Sequence, residues 1–364
     1  MVNCLRGAMA WMVVWASVLC RCSDAVSAME ELIGKVLDKI KSDETGADLQ
    51  WSLFQSALSS YRQDSVLRPF PTTLLSSTAD DQEKDFTALK SIADEVPSLQ
   101  TLLRASARSK GMSEQAWRLL GWVLLQNPLT VTSHDKSKFE RIQELTGQAS
   151  YVVSPSHVFE VQYSSATSQR FDELRQSRDL IYAYHGSRLD NFYSILHNGL
   201  HAHMNKNSLF GEGTYLSSDL SVSMPYSPIG TAWEGSSLGT TLSCVAVCEL
   251  IDHPDVKCQT RDRSSSNNDG RRRSHAPQSM GGEVPEKYYV VTNNEVVRVK
   301  YLLVFADKTQ SKQSAQPRSK VMTFVCGHIF ALCMLGYLLV LLLVGFLNSR
   351  TFQTFYRKYS GSRS

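Results

Sequence analysis

Residues 182–200 read YAYHGSRLDNFYSILHNGL, and the two ends of this stretch follow different periodicities. Leu180–Gly186, which overlaps the beginning of this stretch, is rich in β-branched and aromatic side chains, which is typical of a strand. The residues at 189–199 have the spacing of a short helix that ends at a glycine. His185, Gly186 and Ser187 therefore lie where a predicted strand turns into a predicted helix.

Strand-like patterns continue on both sides of this stretch. Short runs rich in valine, tyrosine and phenylalanine predict further strands at residues 157–164, 244–251, 287–293 and 296–306. Together they predict a mostly β domain with few helices, interrupted at residues 259–282 by a polar segment that contains five arginines. Because that composition buries too little apolar surface to order itself, we expect a flexible basic insertion there.

Residues 30–147 have a helical pattern instead. Between residues 46 and 62, apolar side chains recur every three or four positions, and we expect them on one helix face: Leu49, Leu53, Phe54, Ala57, Leu58 and Tyr61. The fold class predicted from both patterns is α+β. A small all-α domain at residues 29–148 precedes the mostly β domain at residues 149–307.

Residues 321–347 form an apolar segment without Asp, Glu, Lys or Arg. As a helix, a segment of this length extends about 40 Å, against roughly 30 Å for the hydrocarbon core of a bilayer. The segment therefore predicts one C-terminal transmembrane helix. A basic linker at residues 308–320 leads into it, and a short tail at residues 348–364 follows it.

The first 28 residues allow two interpretations. An apolar run at residues 8–20 behind Arg6, followed by small residues, has the layout of a secretory signal peptide. Two observations oppose a lumenal location: the chain has no Asn-x-Ser/Thr sequence, and Met29 opens a plausible cytosolic start. Residues 1–28 are thus either signal-like or a misassigned beginning.

Charge and cysteine content exclude several classes of site. The net charge of +3 gives no reason to expect nucleic acid, and the eight scattered cysteines form neither a disulfide framework nor a zinc site. Cys244 and Cys248 alternate with valines, which favours core positions over nucleophiles. His197 and His201 are separated by a helix-ending Gly199, so they do not share a helix face and we expect no metal.

Residues 210–228, FGEGTYLSSDLSVSMPYSP, form a second polar and aromatic motif. Its Gly-x-Gly is too short for a dinucleotide fingerprint, and Glu212 within it is expected to be solvated. Taken in order with the HGS of residues 185–187 and the KYYVVT of residues 287–292, the motif resembles the catalytic domain of poly(ADP-ribose) polymerase-like ADP-ribosyltransferases. The resemblance covers about residues 150–307.

Within that family the chain resembles the tail-anchored mono-ADP-ribosyltransferases of the endoplasmic reticulum, which have a helical N-terminal domain. SLFGEGTYL at residues 208–216 and IDHPDVKCQT at residues 251–260 carry this closer match, and SVLRPFP at residues 65–71 extends it into the helical half. The resemblance implies a split β-sheet and a His-Tyr-Glu triad. It also implies NAD⁺ as a consumed co-substrate, without a metal.

His185 and Tyr215 match the first two members of that triad. By the same resemblance, His185 holds a ribose hydroxyl of NAD⁺, while Tyr215 and Tyr226 sandwich the nicotinamide ring. The backbone of Gly186 holds the nicotinamide amide, where a Cβ would intrude.

Two serines complete the implied nicotinamide site. Ser223 aligns with the serine that binds the nicotinamide amide in the family. The hydroxyls of Ser187 and Ser223 have donor and acceptor capacity suited to a carboxamide.

The third triad position holds Tyr288 instead of glutamate. A phenol is neutral at pH 7 and cannot act as an ionised base, so chain elongation should be lost. The expected reaction is transfer of a single ADP-ribose to protein side chains, including those of the enzyme itself. Two alternatives stay open: a module that binds NAD⁺ or ADP-ribose without transfer, and a membrane-tethered scaffold.

Location is also implied by the resemblance. It places the protein in the endoplasmic reticulum membrane as a single-pass protein linked to the unfolded protein response. Because few residues follow the predicted span, tail-anchored insertion with a cytosolic catalytic domain is expected.

Overall fold

The computed structural model describes residues 26–71, 84–104, 111–126, 128–147, 153–200, 212–258, 288–306 and 329–347, with 349, 350, 352 and 354. The chain divides into two compact units, Met1–Lys308 and Thr309–Ser364. The predicted helical and β halves both belong to the larger unit. The boundary between them at residues 148 and 149 stays a prediction.

The first half of the larger unit is mostly helical. Its helices are α1 (residues 26–42), α2 (Glu44–Leu58), α3 (Gln63–Val66), α4 (Phe86–Asp94), α5 (Leu99–Arg104), α6 (Glu114–Leu125) and α7 (Lys138–Thr146). The Ser113 hydroxyl caps α6 by accepting a hydrogen bond from the Ala116 N–H at 3.2 Å. Gly147, with a φ of 69°, ends α7 in the left-handed conformation that glycine adopts without strain.

The second half contributes most of a nine-stranded sheet. Its described strands are β1 (Leu129–His134), β2 (His157–Tyr163), β3 (Leu180–Gly186), β4 (Thr214–Ser217), β5 (Gly230–Thr231), β6 (Thr241–Ile251), β7 (Val256–Cys258), β8 (Tyr288–Val291) and β9 (Val297–Ala306). In the described stretches of this half the α-helices are α8 (Ser165–Arg175), α9 (Phe192–Asn198) and α10 (Leu220–Ser223). The strands predicted at 157–164, 244–251, 287–293 and 296–306 are confirmed, and their observed ends differ from the predicted ends by a few residues at most.

The sheet order is β1-β2-β9-β6-β3-β4-β8-β7, and β5 pairs with the end of β6. Pairing is antiparallel throughout the described strands. Strands β3 and β6 pair along the whole of β3, but β3 and β4 share only the pair Tyr184 and Ser217. The sheet therefore consists of two parts that are joined at the single pair between β3 and β4. The HGS turn at the end of β3 lies beside this joint.

Helix α2 connects the helical half to the sheet half. It is buried on all sides from Gly46 to Leu58. Its Phe54 ring makes edge contacts with Trp122 of α6 and with Tyr193 of α9, at centroid distances of 6.5 and 5.6 Å. One hydrophobic core therefore extends through both halves.

The structure corrects the sequence analysis at three places. Tyr61 is 82 % exposed, because α2 ends at Leu58 and the helical spacing stops before it. Residues 129–134 lie in the predicted helical half but form the edge strand β1, in which buried Leu129 and Val131 alternate with β-branched threonines. Helix α8 was not predicted, because only Phe171 in it is buried and it lacks an apolar stripe.

The smaller unit contains a helix at Ile329–Leu347. Within the stretches that the structure describes, no helix meets both the length and the apolarity that a bilayer crossing requires. Residues 321–328 of the predicted transmembrane helix lie outside the described residues. So do residues 1–25, the insertion at 259–282 and the linker at 308–320.

Candidate active site

His185 is the second-last residue of β3. Strand β3 pairs with β6 on one side and meets β4 on the other. His185 pairs with Ala246 of β6, and its side chain is only 9 % exposed. Its Nδ1 lies 2.9 Å from the backbone carbonyl oxygen of Tyr215. Since a carbonyl only accepts, Nδ1 carries the proton and Nε2 keeps a lone pair.

Burial lowers the pKa of His185 below its ordinary value, and the hydrogen bond to the Tyr215 carbonyl opposes this only partly. The imidazole is therefore neutral at pH 7. Its Nε2 is an acceptor, suited to a hydroxyl hydrogen. The same contact brings the first two predicted triad residues together.

Gly186 lies against the segment that follows β4. A Cβ built on it would collide with the carbonyl oxygen of Ser223 and would lie 2.9 Å from the Cβ of Tyr226. Only glycine fits this approach. Tyr226 ends a short 3₁₀ helix, Met224–Tyr226, and its side chain is 62 % exposed. The Tyr226 side chain is thus exposed, and its Cβ lies beside Gly186.

The hydroxyl groups of Ser223 and Ser187 are both engaged within the protein. Ser223 is buried, and its Oγ donates to the carbonyl of Tyr184 at 3.1 Å. The Ser187 Oγ accepts a hydrogen bond from the Asn191 side-chain amide at 2.9 Å. The two hydroxyls therefore differ: Ser223 donates its hydrogen to the Tyr184 carbonyl, whereas Ser187 accepts a hydrogen bond from Asn191.

Tyr215 and Tyr288 lie on the two paired strands β4 and β8. Tyr215 is opposite Val290, and Ser217 is opposite Tyr288. Because residues two apart on a strand share a face, Tyr288 is the diagonal neighbour of Tyr215 on the same face. The residue at the third triad position is therefore adjacent to the second. Gly213, with a φ of 154° and Val290 Cγ1 only 2.6 Å from a built Cβ, positions the start of β4.

Three residues that the sequence analysis missed hold the site in place. The Ser187 N–H donates to the Ser227 Oγ at 3.1 Å, and the Ser243 Oγ donates to the Ser227 carbonyl at 2.6 Å. Asn191, in the 3₁₀ turn Leu189–Asn191, contacts Ser187. A polar Asp190–Asn191 pair just before a helix was the available signal, since such residues commonly make local hydrogen bonds.

Asp190 is buried and accepts hydrogen bonds from both halves of the unit. It is 6 % exposed, accepts from the Ser60 hydroxyl at 2.7 Å and lies 3.2 Å from Arg188 Nε. Burial by itself would raise the pKa of Asp190. The hydrogen bonds from Ser60 and Arg188, with the charges of Arg188 and Arg62, hold its pKa below the usual value.

Among the described residues, the cysteines and acidic side chains weighed as alternatives do not form a second reactive site. Cys244 and Cys248 are fully buried, and burial raises the pKa of both thiols, which confirms them as core residues. Glu212 is exposed, as expected. His201, the second histidine weighed as a metal ligand, lies outside the described residues. In the described part of the chain, no group of three His, Cys, Asp or Glu side chains could hold a metal ion.

Comparison with known proteins agrees with this geometry. A family model described as the poly(ADP-ribose) polymerase catalytic domain matches residues 133–307, and one described as the ARTD15 N-terminal domain matches residues 38–124. The human protein named mono-ADP-ribosyltransferase PARP16 is 50 % identical over 317 residues, which cover 87 % of this chain and 94 % of that protein.

The mouse protein of the same name has the same identity and coverage. Mouse mono-ADP-ribosyltransferase PARP8 is more distant, at 23 % identity over 62 % of this chain and 30 % of its own length.

Proposed function

Because the chain belongs to the poly(ADP-ribose) polymerase family, we propose that the site at the end of β3 uses NAD⁺ to place one ADP-ribose at a time on protein side chains. The relatives that span nearly the whole chain are named as mono-transferring enzymes. The contact between His185 Nδ1 and the Tyr215 carbonyl is the observation that carries the assignment, because it joins the two triad residues that this chain retains.

The ribose of NAD⁺ is held by His185 in this proposal. A neutral imidazole whose Nδ1–H is already used presents Nε2 as an acceptor for a ribose hydroxyl. This contact orients the sugar and does not require the histidine to exchange a proton. Orientation of the reacting groups is a large part of the barrier reduction in transfer reactions of this kind.

The nicotinamide ring is placed beside Gly186, where the absence of a Cβ lets Ser223 and Tyr226 approach the backbone closely. Its carboxamide is bound by the Gly186 backbone and by the hydroxyls of Ser187 and Ser223. Tyr215 and Tyr226 pack on its two faces, and offset stacking contributes about 0.5–1.5 kcal/mol beyond the area that is buried. The fit rests on the close approach of Ser223 and Tyr226 to Gly186.

The reaction breaks the bond between ribose C1′ and the nicotinamide nitrogen, and the bonding electrons leave with nicotinamide. The sugar carbon gains positive charge, and an acceptor side chain, including one of the enzyme itself, supplies the electron pair of the new bond. Any proton of the acceptor passes to solvent. Tyr288, beside Tyr215, places a phenol where the family's glutamate would activate a growing chain. Transfer therefore stops at one unit.

We further propose that residues 321–347 attach the protein to the endoplasmic reticulum membrane, with the larger unit in the cytosol, where NAD⁺ is available. Support comes from the charge-free sequence of this segment and from the exposed apolar side chains of the helix Ile329–Leu347, among them Leu338 and Leu342. Protease protection of membranes carrying a protein tagged at both ends tests this. Protection of the C-terminal tag alone is expected, and protection of the larger unit contradicts it.

The transfer assignment is tested with the full chain in detergent micelles and NAD⁺ labelled in its adenylate part. Discrete label on protein is expected for the wild type and for Arg118→Ala, which removes an exposed arginine paired with Glu114 in the helical half. Label should be lost in His185→Ala and Tyr215→Ala. Absence of label in the wild type, with NAD⁺ still bound, would make the protein a binding module and refute transfer.

A further inference from the structure

The segment at residues 226–230 lies along the turn that follows β3 and is fixed to it at both ends. A Cβ built on Gly186 would lie 2.9 Å from the Tyr226 Cβ, and a Cβ built on Gly230 would lie 2.8 Å from the Leu189 Cβ. Both glycines therefore allow the two backbones to approach closely where a larger residue would separate them. The turn that carries the proposed nicotinamide site thus holds both ends of the segment in place.

The middle of the segment is fixed by Ser227, which is only 3 % exposed. Its Oγ accepts a hydrogen bond from the Ser187 N–H at 3.1 Å, and its carbonyl accepts one from the Ser243 Oγ at 2.6 Å. Pro225 and Pro228 lie on either side of it, and their rings restrict the backbone further. The segment is therefore constrained along its whole length.

Two large side chains of this constrained segment remain exposed. Tyr226 and Ile229 are each 62 % exposed, and we call these two side chains the rim. A single exposed apolar residue is ordinary on a protein surface. Here, however, the anchored backbone on either side prevents Ile229 from turning inward, and residues 220–233 contain no charged residue and no histidine. The rim is therefore a neutral, largely apolar surface beside the proposed site.

An acceptor protein has to pass this rim in the proposed reaction. Its nucleophilic side chain must reach the ribose carbon held near His185, and Tyr226 packs against Gly186, the next residue of β3. The polypeptide on either side of the nucleophile therefore runs close to the rim. A surface that is already fixed loses little conformational freedom when a partner binds, so even one apolar contact adds to affinity. A charged neighbour of the nucleophile would lose water at an uncharged rim without gaining a partner.

We propose that Ile229 is a specificity-determining residue that packs against an apolar side chain next to the modified residue of the acceptor protein. The inference rests on the proposed function, because it takes the turn after β3 as the site of transfer. It adds the class of acceptor, which is a nucleophilic side chain with an apolar neighbour in sequence. Burial of Ile229 against such a neighbour should speed transfer about 10-fold at low acceptor concentration, relative to a polar neighbour.

Two pools of short peptides test this with the full chain in detergent micelles and NAD⁺ labelled in its adenylate part. In both pools the central position is a mixture of Asp, Glu, Lys, Arg, Ser and Cys, flanked by leucines in one pool and by asparagines in the other. We expect the wild type to label the leucine pool about 10-fold faster, and Ile229→Ser to label the two pools at rates within about twofold of each other. Ile229→Leu, which keeps an apolar side chain, should retain the preference.

Val26→Ser is the matched control. Val26 is 61 % exposed but belongs to α1, which packs on α6 through Leu32 and Gly121, so this variant should keep the preference of the wild type. In Ile229→Ser, the affinity for benzamide in calorimetric titration and the KM for NAD⁺ should both stay within about twofold of the wild type, because Ile229 lies outside the groups assigned to NAD⁺.

Equal labelling of the two pools by the wild type, or labelling of neither pool while the enzyme still labels itself, would overturn the inference and leave the transfer assignment intact. A leucine preference that persists in Ile229→Ser would overturn it too, since other residues would then select the acceptor. A raised KM for NAD⁺ in Ile229→Ser would assign Ile229 to the NAD⁺ site instead of the acceptor. If the wild type labels neither the peptides nor itself, the proposed function is wrong and the inference falls with it.

Discussion

Gly186→Ala should abolish most transfer activity while the protein still folds. The added Cβ would collide with the Ser223 carbonyl and approach the Tyr226 Cβ to 2.9 Å. A backbone carbonyl cannot rotate away as a flexible side chain can, so the segment that bears Ser223 and Tyr226 must shift on the order of 1 Å. A displacement of that size in groups that orient a substrate costs about 100-fold in rate.

The stability cost of the same change is smaller. Inserting one methyl into a well-packed site costs about 1–3 kcal/mol, which a marginally stable domain survives. Gly34→Ala is the matched control, because it lies within α1 with open space around it and should stabilise the protein by about 0.5–1 kcal/mol.

The assay is kcat/KM for NAD⁺, measured by transfer of label, together with denaturant unfolding of each variant. We expect a loss of about 100-fold for Gly186→Ala and no loss for Gly34→Ala. A folded Gly186→Ala protein with the kcat/KM of the wild type would contradict this prediction, because the nicotinamide site could then not depend on the close approach of Ser223 and Tyr226 to Gly186.

Two further predictions concern stability. Burial lowers the pKa of both His185 and His197, so below about pH 6.5 the unfolded chain binds more protons than the folded one. The free energy of unfolding should therefore be unaffected by these groups above pH 6.5 and fall below it, by up to about 1.4 kcal/mol per pH unit for each histidine. Denaturant unfolding of His197→Asn between pH 5.5 and 7.5 (about the range in which histidine titrates) should show a shallower fall, and an unchanged slope would contradict this. Asp48→Ala should destabilise by about 3 kcal/mol or more, since it leaves the Trp233 Nε1–H and the Ser237 N–H and hydroxyl without their buried acceptor. Glu114→Ala, at an exposed pair, should stay within about 0.5 kcal/mol in the same unfolding assay, and equal effects would contradict the role of Asp48.

The strands of the sheet half could be predicted because their composition is distinctive. Leu180–Gly186 and Val297–Ala306 are dense in β-branched and aromatic residues, and the structure has strands at those residues. Strand β1 was missed because its six residues lie between two helices. They form a strand because they pair with His157–Tyr163. Pairing of this kind depends on residues distant in sequence, which periodicity does not detect.

The site was predicted through its motifs, whereas its supports were not. His185 and Tyr215 stand in recognisable sequence contexts, and their contact follows from the joint between β3 and β4. Arg62 lies more than a hundred residues from Asn191, and no local pattern indicates that they touch. For Tyr61 a local pattern was present but misleading. Helical spacing placed it on the apolar face of α2, but the helix ends three residues before it and its side chain is exposed.

Cleavage of NAD⁺ and attachment of single ADP-ribose units to protein can be followed together at this site. Nicotinamide released is compared with ADP-ribose attached, and each modified side chain is identified by mass spectrometry. We expect equal amounts of the two, one ADP-ribose for each modified side chain, and neither product in Tyr215→Ala. Chains of ADP-ribose on a side chain would contradict the role given to Tyr288, and nicotinamide release without attachment would contradict transfer itself.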